Sequence, residues 1–121
     1  MSESEKIVAI ATHGPEDPER ASLPFVVANA ALVMDVAAVV ILQGTGVVLA
    51  QHGVAEHVFA QGLPPFASLL QSFLSQGGQL LVCTPCVKER KLEECLIPRA
   101  ELIAAARVVQ ECLEAKAVLS Y

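Results

Sequence analysis

Lys6-Ile-Val-Ala-Ile-Ala-Thr12 is a nearly continuous run of apolar residues. A strand covered on both faces has this pattern, whereas a strand with one solvated face alternates apolar and polar residues. The run therefore predicts a central strand in a sheet that has a layer on each side.

A helix and a second buried strand follow this run. Asp17 suits an N-cap and Pro18 suits the first helical position, so a helix should begin here. We expect it to extend to Met34 and to be bent or loosened near Pro24. Residues 36–42 then form another apolar run. A strand, a helix and a buried strand in this order are typical of a parallel sheet built from βαβ units.

The middle of the chain predicts further elements of the same kind. Residues 43–46 predict a turn, and residues 47–50 predict a short extra strand. Residues 51–65 contain Gly, Pro and His and predict an irregular crossover loop. Residues 66–76 predict a helix with one apolar face, which ends at a Gly-Gly pair before the next strand.

The last part of the chain allows two interpretations. Residues 99–115 are rich in Ala, Leu, Glu and Arg and could form one long helix. Alternatively, a strand at 101–104, a helix and a closing strand at 116–120 continue the α/β alternation. The alternation favours the second interpretation.

Cys83-Thr84-Pro85-Cys86 is the sharpest chemical motif, and it lies where the apolar run Gln79–Val82 enters a predicted helix. Thr84 suits the N-cap and Pro85 the first helical position, which places Cys86 in the first turn and Cys83 just before it. Helix N-termini and nearby cations lower the pKa of a thiol. The cations that follow the motif are Lys88, Arg90 and Lys91. The motif therefore predicts thiolate chemistry at Cys83 and Cys86, the alternative being two half-buried cysteines without a role.

Other residues give weaker candidate sites. A zinc site from Cys83, Cys86, Cys95 and a histidine is conceivable, but Cys95 lacks the paired spacing of a second ligand set, so we expect no metal. Cys112 shares the helical spacing of the apolar residues around it, so we expect it to lie in the core. His13 follows the first strand, at the edge where parallel sheets bind ligands, and is a candidate to support the thiol; a solvent-facing loop histidine is the alternative. His52 and His57 have no ligand spacing.

Composition limits the classes of partner. The 121 residues carry a net charge of −5 and no Trp, which disfavours nucleic acid binding. The length fits one domain over residues 1–121. The mean hydropathy of +0.53 is high, but the stretch 23–42 contains Pro24, Asn29 and Asp35, so we expect no membrane span. The excess apolar surface instead predicts a homo-oligomer.

The polar, acidic start Met1-Ser-Glu-Ser-Glu-Lys6 is unlike a signal peptide. Four cysteines without an evident pairing scheme favour a reducing compartment. We therefore expect a cytoplasmic protein.

The order of these features resembles the DsrE/DsrF-like sulfur-relay family, which includes the YchN-like and TusD-like proteins. The matching features are Asp17-Pro-Glu-Arg-Ala21, the region 40–49, Gly77-Gly78, the pattern Cys83-x-x-Cys86-x-x-x-Arg90 and the ending Ala117-Val-Leu-Ser-Tyr121. The family usually has Gly after the arginine, where this chain has Lys91.

The resemblance implies a three-layer α/β/α sandwich with a mainly parallel five-stranded sheet, assembled as a trimer or hexamer. It also implies that Cys83 accepts sulfane sulfur as a persulfide. The residues themselves make Thr84, Arg90 and His13 candidate supporting residues, and we expect no cofactor. We expect a sulfur carrier or sulfurtransferase that works with donor and acceptor proteins. Two alternatives stay open: a thiol-disulfide or peroxide-reducing protein using Cys83 and Cys86, and a non-catalytic oligomeric binding module.

Overall fold

The computed structural model describes residues 5–121, so most of the acidic start lies outside the described residues. Five strands form one parallel sheet in the order β4-β3-β2-β1-β5. The strands are β1 Lys6–Ala11, β2 Ala37–Leu42, β3 Gln79–Cys83, β4 Ala100–Ile103 and β5 Ala117–Ser120. The helices are α1 Pro18–Val33, α2 Phe66–Ser75, α3 Thr84–Glu89 and α4 Ala105–Glu114. No helix of the described range is long and apolar enough to cross a bilayer.

The sheet is covered on both faces, so the expected three-layer α/β/α sandwich is confirmed. One face packs against α1, α2 and α3, whose buried residues join alternate strand residues in a large core. The other face packs against α4, where a smaller core forms from Val8, Val39, Ile41, Leu81 and Ile103. Strands β1, β2 and β3 read as continuous apolar runs because both of their faces are buried.

The first helix begins as the sequence predicts. The Asp17 carboxylate accepts a hydrogen bond from the Arg20 N–H at 3.1 Å, and Pro18 is the first helical residue. The helix continues through the buried Pro24. Its buried Phe25 packs edge-on against Phe66 and Phe73 of α2, with ring centroids 5.0 and 5.4 Å apart. These aromatic contacts join the two helices over the sheet.

The prediction of an extra strand at 47–50 is wrong. Residues Gly44–Ala50 form a 3₁₀ helix instead. Both hydrogen-bonding edges of β2 are already occupied, by β1 and β3, so this segment finds no free edge beside the strand that it follows. As a 3₁₀ helix, the segment still buries Val47, Leu49 and Ala50 in the large core.

The crossover loop 51–65 is largely irregular, as expected, with a single 3₁₀ turn at Ala55–His57. The tail divides into β4, α4 and β5, and the single long helix is wrong. Strand pairing decides between the two interpretations, because β4, which lies inside 99–115, gains β3 as a parallel partner. A continuous helix over 99–115 would forfeit that pairing.

Lys91 occupies the position where the resemblance implies glycine, and its φ is +57°. The Lys91 N–H donates to the Lys88 carbonyl and the Leu92 N–H to the Val87 carbonyl, which is a Schellman ending of α3. The buried Val87 and Leu92 provide the apolar contact of that motif. Lys91 thus adopts the left-handed conformation that glycine adopts without strain.

We expect Lys91→Gly to raise the free energy of unfolding by about 1 kcal/mol, because it removes a left-handed non-glycine residue. Denaturant unfolding measures the change. Lys88→Gly, inside the same helix, should lower stability by about 1 kcal/mol. A loss of stability in Lys91→Gly would contradict this interpretation of the turn.

Candidate thiol site

The two cysteines of the motif lie at the carboxyl edge of the sheet. In the sheet register Val82 pairs with Leu42, and Leu42 pairs with Ala11. Cys83 therefore emerges at the level where β1 and β2 have just ended. It is the last residue of β3 and the N-cap of α3, and Cys86 lies in the first turn of that helix.

Thr84 does not have the capping role that the sequence predicts. It is the first residue of α3, and Pro85 is the second. The Thr84 hydroxyl donates to the Ile103 carbonyl at 2.8 Å, which fastens the start of α3 to the end of β4. The Thr84 hydroxyl reaches the neighbouring strand because β4 ends directly beside β3, where Ile103 pairs with Cys83.

The sulfur atoms of Cys83 and Cys86 are 3.0 Å apart, and the Cys86 thiol donates to the Cys83 sulfur. The Cys86 sulfur in turn accepts the Gly44 N–H at 3.2 Å. Both cysteines are half-buried free thiols. The pair thus has a specific geometry: two sulfurs in contact, with a backbone donor on one of them.

The structure corrects the expectation that the Cys83 thiol is acidified. Burial raises the pKa of the Cys83 thiol, and the Cys86 side chain raises that pKa further. The Cys86 backbone N–H and the Arg90 guanidinium act in the opposite direction and do not outweigh burial. The helix that follows Cys83 is short, with six residues. The surroundings of Cys83 therefore favour its protonated form.

Arg90 lies one helical turn beyond Cys86. Its Nη1 donates to the Cys86 carbonyl at 3.1 Å, and the side chain is exposed. Its positive charge acts on the Cys83 sulfur in the direction that lowers the pKa. Arg90 therefore places a solvent-facing cation near the thiol pair.

His13 belongs to a different cluster at the same edge. Its Nδ1 is 3.3 Å from the Thr12 hydroxyl, which donates to the Tyr121 carbonyl at 2.8 Å. This cluster lies between β1 and β5, and in the described range no hydrogen bond joins the His13 ring to Cys83 or Cys86. The ring is therefore oriented by the last residues of the chain.

The remaining cysteines lie apart from the pair. The exposed Cys95 has its carbonyl bound by the His52 N–H at 2.7 Å, which ties its loop to the crossover loop. Cys112 packs against the smaller core under α4. Across residues 5–121, no group of three or more His, Cys, Asp or Glu side chains is arranged to hold a metal ion.

Gly44 is the participant that sequence reasoning missed. Its φ of +56° turns the chain after β2 and directs its N–H toward Cys86. The signal in the sequence is a glycine two residues after the end of a buried strand whose neighbour carries the thiol. Because the donor is the backbone N–H of Gly44, no side-chain motif in the sequence marks it.

Comparison with solved structures shows the same fold in three proteins of low identity. YchN from E. coli aligns with a TM-score of 0.76 at 18% identity, over 97% of this chain and 99% of that one. MTH1491 from Methanobacterium thermoautotrophicum aligns at 0.69 and 12%, over 98% and 100%. BT1422 from Bacteroides thetaiotaomicron aligns at 0.70 and 15%, over 97% and 95%. The last two are described as proteins of unknown function.

A comparison with curated proteins finds no match to this sequence. The model of the DsrE/DsrF-like family matches residues 5–121, which is nearly the whole chain and includes the thiol site. Members of this family are generally associated with sulfur relay. The fold, the YchN likeness and the family match agree, and the chain belongs to the DsrE/DsrF-like family.

Proposed function

We propose that the protein is a cytoplasmic sulfur carrier or sulfurtransferase that accepts sulfane sulfur as a persulfide on Cys83. The observation that carries this proposal is a half-buried thiol pair, with sulfurs 3.0 Å apart, at the carboxyl edge of the sheet in a sulfur-relay family. Four free thiols suit a reducing cytoplasm. In this proposal a donor protein supplies the sulfur and an acceptor protein receives it.

The loading step transfers one neutral sulfur atom. The Cys83 thiol first loses its proton to solvent, and the thiolate attacks the outer sulfur of a donor such as thiosulfate. The bond between the two donor sulfurs breaks, and sulfite leaves with the electron pair. The product is a persulfide on Cys83. Burial raises the pKa of the Cys83 thiol, and a thiolate of higher pKa is the stronger nucleophile once it forms.

Intact mass spectrometry tests the proposal. The protein is incubated with thiosulfate or polysulfide, and the added mass of one sulfur atom is measured. We expect Cys86→Ser and the matched double variant Cys86→Ser/Cys95→Ser to gain sulfur, and Cys83→Ser to gain none. Sulfur gained equally by Cys83→Ser, or by no variant, would refute loading on Cys83.

Arg90 should favour donors that are anions. We expect Arg90→Gln to slow loading from thiosulfate about fivefold, because an exposed charge pair contributes up to about 1 kcal/mol. The reaction of Cys83 with uncharged iodoacetamide should be unchanged. Lys88→Gln in α3 is the matched control. An equal loss with thiosulfate and with iodoacetamide would mean that Arg90 only supports α3 through the Cys86 carbonyl.

A thiol-disulfide exchange protein is the second candidate, and the short distance between the Cys83 and Cys86 sulfurs favours it. This candidate requires both cysteines equally. Reduction of a disulfide substrate that is lost in both Cys83→Ser and Cys86→Ser, without sulfur loading in any variant, would support exchange over sulfur transfer.

We also propose that the chain works as a homo-oligomer, a trimer or a hexamer. The support is apolar surface that the single chain leaves exposed, in part on the outer side of α4. There Leu113 is 81% exposed and Val109, one turn away, is 57% exposed. Val33 and Met34 form a second exposed pair at the C-terminal end of α1. Burying such side chains between subunits is favourable.

Leu113→Glu should weaken this association roughly 30-fold, since losing the burial of one leucine costs about 2 kcal/mol per interface. Light scattering during size-exclusion chromatography measures the mass over a dilution series. Gln110→Glu, also exposed on α4, is the charge-matched control and should keep the wild-type mass. An unchanged mass in Leu113→Glu would exclude this side of α4 as the interface.

A further inference from the structure

We propose that Cys86, positioned by the Gly44 N–H, attacks the persulfide on Cys83 and discharges its sulfur as hydrogen sulfide. The inference rests on the proposed loading of Cys83. It assigns this chain a further activity, the reduction of sulfane sulfur, beyond holding sulfur for an acceptor.

The geometry of the pair supports intramolecular attack. The Cys86 sulfur lies 3.0 Å from the Cys83 sulfur. A disulfide bond is about 2.05 Å long, so the two atoms need to approach by only about 1 Å. Both residues belong to one strand-to-helix junction, and small adjustments of the two side chains cover that distance. Cys86 is thus next to the inner sulfur of any persulfide formed on Cys83.

Gly44 supplies a backbone donor to the Cys86 sulfur. Its N–H points at that sulfur from 3.2 Å and fixes its position beside Cys83. Two contacts hold this donor in place: the Gln43 N–H donates to the Ala11 carbonyl at 3.0 Å, and the Gly46 N–H donates to the Gln43 carbonyl at 2.9 Å. Once Cys83 carries the persulfide, Cys86 is the thiol in contact with it, so Cys86 is the attacking sulfur.

The discharge step balances without another reactant. The Cys86 sulfur forms a bond to the Cys83 sulfur, and the bond between the Cys83 sulfur and the outer sulfur breaks. The outer sulfur leaves with that electron pair and takes up the Cys86 proton, so hydrogen sulfide is released. The transferred sulfur is reduced by two electrons, and the two cysteines are oxidised to a disulfide. A dithiol reductant must reduce this disulfide before another turnover.

Single-turnover measurements with thiosulfate test the discharge, because the leaving group of the loading step is sulfite. Any hydrogen sulfide then comes from the second step. For the wild type we expect about one equivalent of hydrogen sulfide per chain, and a protein that is lighter by two hydrogen atoms. Cys86→Ser should keep the added sulfur and release hydrogen sulfide at least about tenfold more slowly, because the intramolecular nucleophile is gone. Cys95→Ser should behave like the wild type.

The outcomes separate this inference from the proposed function. If Cys86→Ser gains no sulfur from any donor, loading on Cys83 fails and the discharge fails with it. If Cys86→Ser gains sulfur while the wild type also keeps its persulfide, without a disulfide or hydrogen sulfide, loading stands and the discharge is overturned. Equal hydrogen sulfide release by wild type and Cys86→Ser would likewise overturn the role of Cys86.

Discussion

Gly46→Ala is expected to lower the free energy of unfolding by about 3 kcal/mol. A Cβ at this position would overlap the carbonyl oxygen of Ala11, which is a backbone atom of the central strand β1. A backbone atom in a buried strand cannot move aside as a flexible side chain can. Denaturant unfolding measures the loss.

The same substitution should disturb the thiol site, because Gly46 and Gly44 share one turn after β2. We expect slower hydrogen sulfide release from the fraction that folds. Gly62→Ala is the control: its Cβ would meet no atom within 4 Å, and only its φ of +84° carries a penalty, of about 1 kcal/mol. A Gly46→Ala protein as stable as Gly62→Ala would contradict the close packing of this turn on β1.

Glu111→Gln is expected to lower the free energy of unfolding by about 2 kcal/mol. Glu111 is 5% exposed, and its carboxylate forms ion pairs with Lys6 Nζ and Arg107 Nε, each at 2.8 Å. These contacts tie α4 to the start of β1. The loss is smaller than for a fully buried pair, because both cations are partly exposed and can be solvated again. Glu114→Gln, which removes the exposed partner of Lys6, should change stability by less than about 1 kcal/mol.

The Glu111 cluster also makes stability depend on pH in a defined direction. Burial alone would raise the pKa of the Glu111 carboxyl, but the hydrogen bonds from Lys6 and Arg107 outweigh it and lower the pKa. The stability that the ionised Glu111 contributes is therefore complete above the pKa of glutamate in the unfolded chain, about 4.3. This stability is lost as the pH falls through the lower pKa that Glu111 has in the folded chain. Below about pH 4, the difference in stability between wild type and Glu111→Gln should shrink. A difference that grows toward acid would contradict this assignment.

Much of the fold could be predicted from the sequence because the central strands are buried on both faces. Apolar runs, the Asp17-Pro18 start of α1 and the apolar face of α2 fix the elements through local chemistry. The tail between 99 and 115 favours helix locally, and the pairing of β4 with β3 overrides that preference over Ala100–Ile103. The prediction of a strand at 47–50 failed because no strand edge is free beside β2.

The candidate site was predicted in its position but not in its electrostatics. The motif located Cys83 and Cys86 correctly at a strand-to-helix junction, and Arg90 lies at the other end of the short α3. It could not show that burial raises the pKa of Cys83, since burial depends on packing from distant segments. It also could not show the Gly44 donor, because a backbone N–H is the same in every residue type except proline.

The crystal structure of Cys86→Ser after treatment with polysulfide tests the central claim most directly. This variant lacks the sulfur that would discharge the persulfide, so the loaded state should persist. We predict one additional sulfur atom about 2.05 Å from the Cys83 sulfur, with Cys95 and Cys112 unmodified. An unmodified Cys83 beside a persulfide on Cys95 or Cys112 would contradict the account.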